Sequence, residues 1–197
     1  MEDKQIIIYG GSSDISKELI KILSNDYDQF IIFCRSKNIV EQYLAQMQLK
    51  HLKIKIFEVD LLDLESNFSI IEKLENNISG IIWIVGKSGE PEEEFSDPKK
   101  CETNIRINFL NPVLIINKII PKMKLEKKSF IAVLTSVAAL RGRSKRLFYA
   151  SAKSGLINYL SGLRQKLNKD NINVITVVPG YIRTKNFEPS KVPSFLV

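Results

Sequence analysis

QIIIYGGSSDIS, residues 5–16, compresses a strand, a turn and a helix start into one short run. QIIIY (5–9) is almost continuously apolar rather than alternating, which suits a strand covered on both faces. The small residues of YGGSSDIS (9–16) let backbone N–H groups approach a bound phosphate, and a helix N-terminus adds favourable charge there. A helix-length segment, 14–24, starts from that turn.

The unit repeats along the chain. QFIIFC (29–34), KIKIFEV (53–59), GIIWIV (80–85), SFIAVLT (129–135) and NVITVV (173–178) are further runs of strand length. Segments 37–49, 64–76, 101–124 and 148–169 have helix length and fall between them. This alternation predicts an α/β fold: a doubly wound, mostly parallel sheet with helices on both faces and right-handed crossovers. GEPEEEFSDP (89–98) reads as a solvated acidic loop. A chain of 197 residues suits one domain, 1–197, with a sizeable core.

Composition narrows the function classes. Hydrophobic residues make up 44% and charged residues 26%, as in an ordinary globular protein. The net charge of +7 favours anionic partners, but the Lys and Arg are scattered and no zinc-finger spacing or RNA-stacking motif appears, so no nucleic-acid partner is expected. Cys34 and Cys101 form no disulfide or metal framework, and His51 is the one histidine, so no metal is expected. MEDKQIIIYGG at the N-terminus is too short and too acidic for a signal peptide, and no apolar stretch is long enough for a membrane span. A reducing cytoplasm is the expected location.

The chemistry is carried by TSVAALRGRSKRLFYASAK (135–153). Tyr149 and Lys153 stand four residues apart and share one helix face. A tyrosine holds its proton until about pH 10, and a nearby ammonium favours the phenolate. Such a pair can exchange a proton near neutrality. Ser136, from a separate strand end, can hydrogen-bond a substrate oxygen. Pro112 lacks an N–H for the carbonyl of Asn108, so the helix is expected to break there and free that carbonyl for a water.

These motifs, in this order, resemble the short-chain dehydrogenase/reductase family along essentially the whole chain. YGGSSDIS resembles the family's TGxxxGxG loop, with Gly10, Ser12, Ser13 and Ile15 facing a dinucleotide. Asp60-Leu61 resembles the family's adenine-contacting pair. Asn108 in NIRINFLNP, Ser136, and Tyr149 with Lys153 match the family's Asn, Ser and YxxxK. VVPGYIRT matches the segment that packs on the nicotinamide, through Pro179, Gly180, Ile182 and Thr184. The resemblance implies a Rossmann-type fold and NAD(P)-dependent reduction of a carbonyl, or oxidation of the alcohol. Tyr149 is then the general acid, Lys153 lowers its pKa and binds the ribose, Ser136 orients the carbonyl, and Asn108 holds a relay water.

The chain also departs from the family pattern. Asp14 and Ser16 replace the second and third loop glycines; Asp14 adds negative charge near a pyrophosphate, and Ser16 crowds the helix against the sheet. The family's NNAG is absent, and IWIVGKSG stands in its place with Gly86 in the equivalent turn. Strand two ends in Cys34-Arg35-Ser36 where an NAD enzyme carries an acidic residue. Arg35 and Ser36 suit a 2′-phosphate, so NADP is expected, with NAD as the alternative. Arg141, Arg143, Lys145 and Arg146 border the expected pocket and point to a small-molecule substrate that is anionic. The chain stops at KVPSFLV (191–197), so the substrate-covering region is expected to be incomplete, with strand six an exposed edge. The resemblance also implies a homodimer or homotetramer through the two long helices. The rival reading is a non-catalytic NAD(P)-binding or scaffold protein of the same fold.

Overall fold

The computed structural model describes residues 4–47, 49, 51–123 and 129–184. The expected strands are found within two residues of their predicted starts: β1 (Gln5–Tyr9), β2 (Gln29–Cys34), β3 (Lys53–Glu58), β4 (Ile78–Trp83), β5 (Ser129–Leu134) and β6 (Ile172–Val177). They form one sheet in the order β3-β2-β1-β4-β5-β6, and every pairing is parallel. The crossover helices include α1 (Asp14–Leu23), α2 (Lys37–Gln46) and α3 (Leu64–Glu72). This is a Rossmann-type doubly wound sheet.

The two faces of the sheet bury different residues because strand side chains alternate. On one face Ile7, Ile31, Ile81 and Ile131 pack against α3 and the long C-terminal helices. On the other, Ile6, Ile8, Phe30 and Ile32 pack with Ile20 of α1 and Val40 of α2. Each fully buried Ile contributes roughly 1.5–3 kcal/mol by leaving water. The second layer thins beyond β4. Ile175 and Val177 of β6 are 46% and 38% exposed, so this apolar strand is covered on one face rather than two. Its alternation, with Ile172 and Val174 buried, reflects that one-sided cover.

β6 is a sheet edge among the described residues, as expected. The carbonyls of Asn171, just before β6, and of Val177 accept from the amides of Ser129 and Thr135, so Val174, in the opposite phase, points its carbonyl outward. Arg164 fills that position: its Nε donates to the Val174 carbonyl at 2.8 Å and an NH2 group to Thr176 Oγ1 at 3.0 Å. The expected end of one helix at 124 and the segment KVPSFLV lie outside the described residues.

Two expectations need correction. GEPEEEFSDP is not simply a solvated loop: it holds α4 (Pro91–Ser96), and Glu94 within it is buried. Pro at the first position and three acidic residues in the first turn favour that helix start. The long helix expected over 101–124 is divided. It runs as α5 (Pro98–Ile105), a π-helical turn (Arg106–Leu110) and α6 (Asn111–Ile119). The break expected from Pro112 takes the form of this π turn, in which the Asn111 amide donates to the Arg106 carbonyl, five residues back. α7 (Leu147–Leu167) follows β5 and closes the same face. Among the described residues no helix is long and apolar enough to cross a membrane.

Candidate active site

The strand order reverses between β1 and β4, and ligands of such sheets bind in the crevice above that switch point. A cleft of about 520 Å³ lies there. Of the cofactor residues expected from the sequence, Gly10, Ser12, Ser13, Ile15, Arg35, Asp60, Leu61, Gly86 and Thr184 line it. Pro179, Gly180, Ile182 and Ser36 do not. Ser36 lies just behind the wall, where its carbonyl accepts from Ser12 Oγ at 3.3 Å. The Pro179 carbonyl is taken by the amide of Val137 at 3.0 Å, which ties the segment after β6 to the residue following Ser136.

Local chemistry explains the rim between β1 and α1. Gly10 has φ +100°, a conformation a side chain resists, and a Cβ there would press on Val85. Gly11 is required by packing, since a Cβ would stand 2.2 Å from Ile32 Cγ2. Ser13 caps α1 by accepting from the Ser16 amide at 3.1 Å. Ser16 is fully buried, and its hydroxyl donates to the Gly10 carbonyl at 2.8 Å. The serine therefore fits where crowding was expected, because its one polar atom closes the turn. Asp14 opens α1 and is among the residues lining the cleft.

The Asp60-Leu61 loop rests on residues the sequence did not single out. Asn67 Nδ2 donates to the carbonyls of Asp60 and Asp63, and Asn111 Nδ2 donates to the Leu61 carbonyl at 2.8 Å. Tyr9 donates its hydroxyl to Asn67 Oδ1 and stacks between Phe33 and Trp83, at 4.2 and 4.5 Å. An aromatic stack thus spans β2, β1 and β4 at the sheet centre. Arg35 is exposed at the end of β2. Nearby, Glu58 Oε2 accepts from the Lys37 amide at 2.6 Å and caps α2.

Asn108, Ser136, Tyr149 and Lys153 come together around the ends of β4 and β5. Lys153 is 2% exposed. Its Nζ donates to the carbonyls of Val85 and Leu134 at 3.1 and 3.3 Å. Burial lowers its pKa from the usual lysine range to about 8. Asn108, fully buried in the π turn, clamps the backbone of Lys87: Nδ2 donates to its carbonyl at 2.8 Å and Oδ1 accepts from its amide at 3.1 Å. Gly86 separates the two groups, since a Cβ there would lie 3.4 Å from Lys153 Nζ and 3.5 Å from Asn108 Oδ1.

Tyr149 differs from the simple expectation. Burial pushes its phenol up, against the hydrogen bond with Ser136 and the charge of Arg146, which pull it down. Lys153, bonded to two carbonyls, is not the dominant influence on the phenol. Ser136 also caps the short turn after β5, accepting from the Ala138 amide at 3.1 Å.

The sequence matches the family model for short chain dehydrogenase over residues 4–192. An uncharacterised oxidoreductase of Staphylococcus saprophyticus is 21% identical over 188 residues, which span 93% of this chain and 80% of that protein. A 3-oxoacyl-acyl-carrier-protein reductase of Rattus norvegicus is 22% identical, over 92% of this chain and 77% of its own length. Among solved structures, actinorhodin polyketide ketoreductase with NADPH superposes with a TM-score of 0.83 at 14% identity, covering 93% of this chain and 72% of that one. The chain therefore belongs to the short-chain dehydrogenase family of oxidoreductases.

Proposed function

We propose that this protein is an NADPH-linked carbonyl reductase, running the reverse oxidation when alcohol is in excess. The observation that carries this reading is Lys153: an ammonium buried to 2% exposure, held by two backbone carbonyls rather than by a carboxylate. Burying a charge in this way is costly, and such groups concentrate at reacting sites.

The cleft fits a dinucleotide on its own geometry: a tight Gly10 turn, a helix starting at its rim, and polar groups at both ends. Bound NADPH supplies the hydride. Arg35 pairs with the 2′-phosphate, and the Asp60-Leu61 loop holds the adenine. Ser136 orients the substrate carbonyl by donating to its oxygen. Tyr149 gives its phenolic proton to that oxygen as the C–H bond forms, leaving an alcohol and a phenolate. Lys153 would stabilise the phenolate and give it a proton, and would itself take a replacement proton from solvent. Other members with this fold were solved with NADPH bound, which supports the cofactor choice.

The substrate is read as a small anionic carbonyl compound. Arg141, Arg143 and Lys145 are exposed between Ser136 and Tyr149, and the charge of Arg146 reaches the phenol. The protein works in the cytoplasm as a homodimer or homotetramer. A second reading, a dinucleotide-binding scaffold, draws on Asp14 lining the cleft. Calorimetric titration with NADPH and NADH, followed by turnover against sugars, quinones and acyl thioesters, tests both. NADPH binding with consumption supports the reductase. Binding without consumption favours the scaffold, and binding of neither contradicts both.

A further inference from the structure

Asn111 takes no part in the reaction proposed above, yet it is fully buried. Its Nδ2 donates to the Leu61 carbonyl at 2.8 Å, across 50 residues of chain. Among the described residues its Oδ1 has no partner, so the bond to Leu61 is the one hydrogen bond this side chain makes. Three residues earlier, Asn108 holds both main-chain groups of Lys87. Leu61 and Lys87 line the same cleft, on the loops that leave β3 and β4. Two asparagines of one helical segment therefore hold two walls of one cleft.

The backbone between the two asparagines gives them this reach. Arg106–Leu110 form the π-helical turn, and Asn111 opens α6. A turn closed five residues back holds more residues than an α-helical turn, so side chains three apart diverge more than they do on an α-helix. Asn108 thus meets the loop after β4 while Asn111 meets the loop after β3. The other hydrogen bonds of the loop after β3 are local. Asp60 Oδ1 accepts from the Leu62 amide, the Asp60 carbonyl accepts from the Asp63 amide, and Asn67 binds the carbonyls of Asp60 and Asp63. These bonds set the shape of the loop, and Tyr9 secures Asn67 from β1. Among the described residues, the hydrogen bond from Asn111 is the one that ties Leu61 to the segment carrying Asn108.

We propose that Asn111 is a positioning residue for the adenosine half of the cofactor: it fixes Leu61 relative to Lys87 and so sets the spacing of the two walls. Asn111 does not itself line the cleft, so its effect passes through Leu61. The proposal rests on the dinucleotide reading of the cleft. The test is Asn111→Leu, close in size and without the donor, with Asn111→Ala as a second variant. ADP-ribose, the half common to NADH and NADPH, is titrated by calorimetry, and kcat and the KM for NADPH are read with 9,10-phenanthrenequinone. Both variants are expected to bind ADP-ribose about 10-fold more weakly and to raise the KM for NADPH by a similar factor, with kcat unchanged. In the unmutated protein the Asn111 side-chain NH2 signal is expected to shift in ¹⁵N NMR as ADP-ribose is added. Unchanged ADP-ribose affinity in a folded variant overturns the proposal, as does a lowered kcat at an unchanged KM. Should neither variant fold, an unmoved NH2 signal in the unmutated protein overturns it. If ADP-ribose affinity falls in the variants while the unmutated protein reduces no quinone, the brace stands and the reductase reading falls. If the unmutated protein binds no ADP-ribose, the cleft reading and the proposal fall together.

Discussion

Lys153 donates from Nζ to the carbonyl of Val85 at 3.1 Å, tying the middle of α7 to the loop that leaves β4. A second bond, to Leu134, ties it to the end of β5. The ammonium is thereby fixed between the ends of β4 and β5.

That burial carries a pH signature. Lys153 has a folded pKa of about 8, below the ordinary lysine value of 10.5. Between these limits the unfolded chain holds the proton more often than the folded one, so stability rises with pH across that window. The full contribution is about 3 kcal/mol, from about 1.4 kcal/mol per unit. Tyr9, Tyr43 and Tyr149 are shifted upward by burial and act in the opposite sense at more alkaline pH. Denaturant unfolding at pH 7, 8, 9 and 10 separates them by comparison with Lys153→Met. The variant is expected to lose the rise between pH 8 and 10. Parallel curves for the two proteins would refute the burial account.

Arg35 sets the cofactor preference in the proposed function. It lines the cleft just past the end of β2, the strand Gln29–Cys34. Arg35→Ser is expected to weaken NADPH about 10-fold or more, as loss of a charged hydrogen bond implies, and to leave NADH unchanged. Fluorescence titration with each nucleotide reads both. Equal weakening of the two would mean that Arg35 does not meet the 2′-phosphate.

Much of this arrangement was legible in the sequence, for identifiable reasons. After an initial glutamine, strands β1 and β2 are continuous apolar runs, and both sit in the sheet interior, where composition alone marks them. Ser136, Tyr149 and Lys153 are set by a strand end and a helical repeat, which are local properties. Glu94 was hidden because α4 spans only six residues, too few for a repeat to show which glutamate turns inward. The Tyr9–Trp83 stack depends on β1 and β4 pairing in a given register, which is a long-range fact. The partners of Lys153 are backbone carbonyls, which leave no mark in side-chain chemistry. The exposed face of β6 follows from where the helices lie, while the strand's own residues suggest full cover.

Arg164 guards the β6 edge by holding the Val174 carbonyl and Thr176. Unpaired edges recruit other strands, and a charged side chain laid along the edge resists this. Arg164→Ala is expected to cost about 1 kcal/mol and to produce species larger than the unmutated assembly as concentration rises. Sedimentation velocity over a concentration series reads the assembly. Identical profiles for both proteins would show that the edge is protected by something else.

The proton donor is the point on which the proposed chemistry turns. Tyr149 is held by Ser136 and influenced by Arg146, with its phenol raised by burial. The direct measurement is NADPH oxidation by Tyr149→Phe and by the unmutated protein, each saturated with NADPH, against the same carbonyl. The account predicts equal NADPH affinity and a kcat reduced about 100-fold or more in the phenylalanine variant, the scale of a lost general acid. A variant that binds NADPH and turns over at the unmutated rate would contradict it.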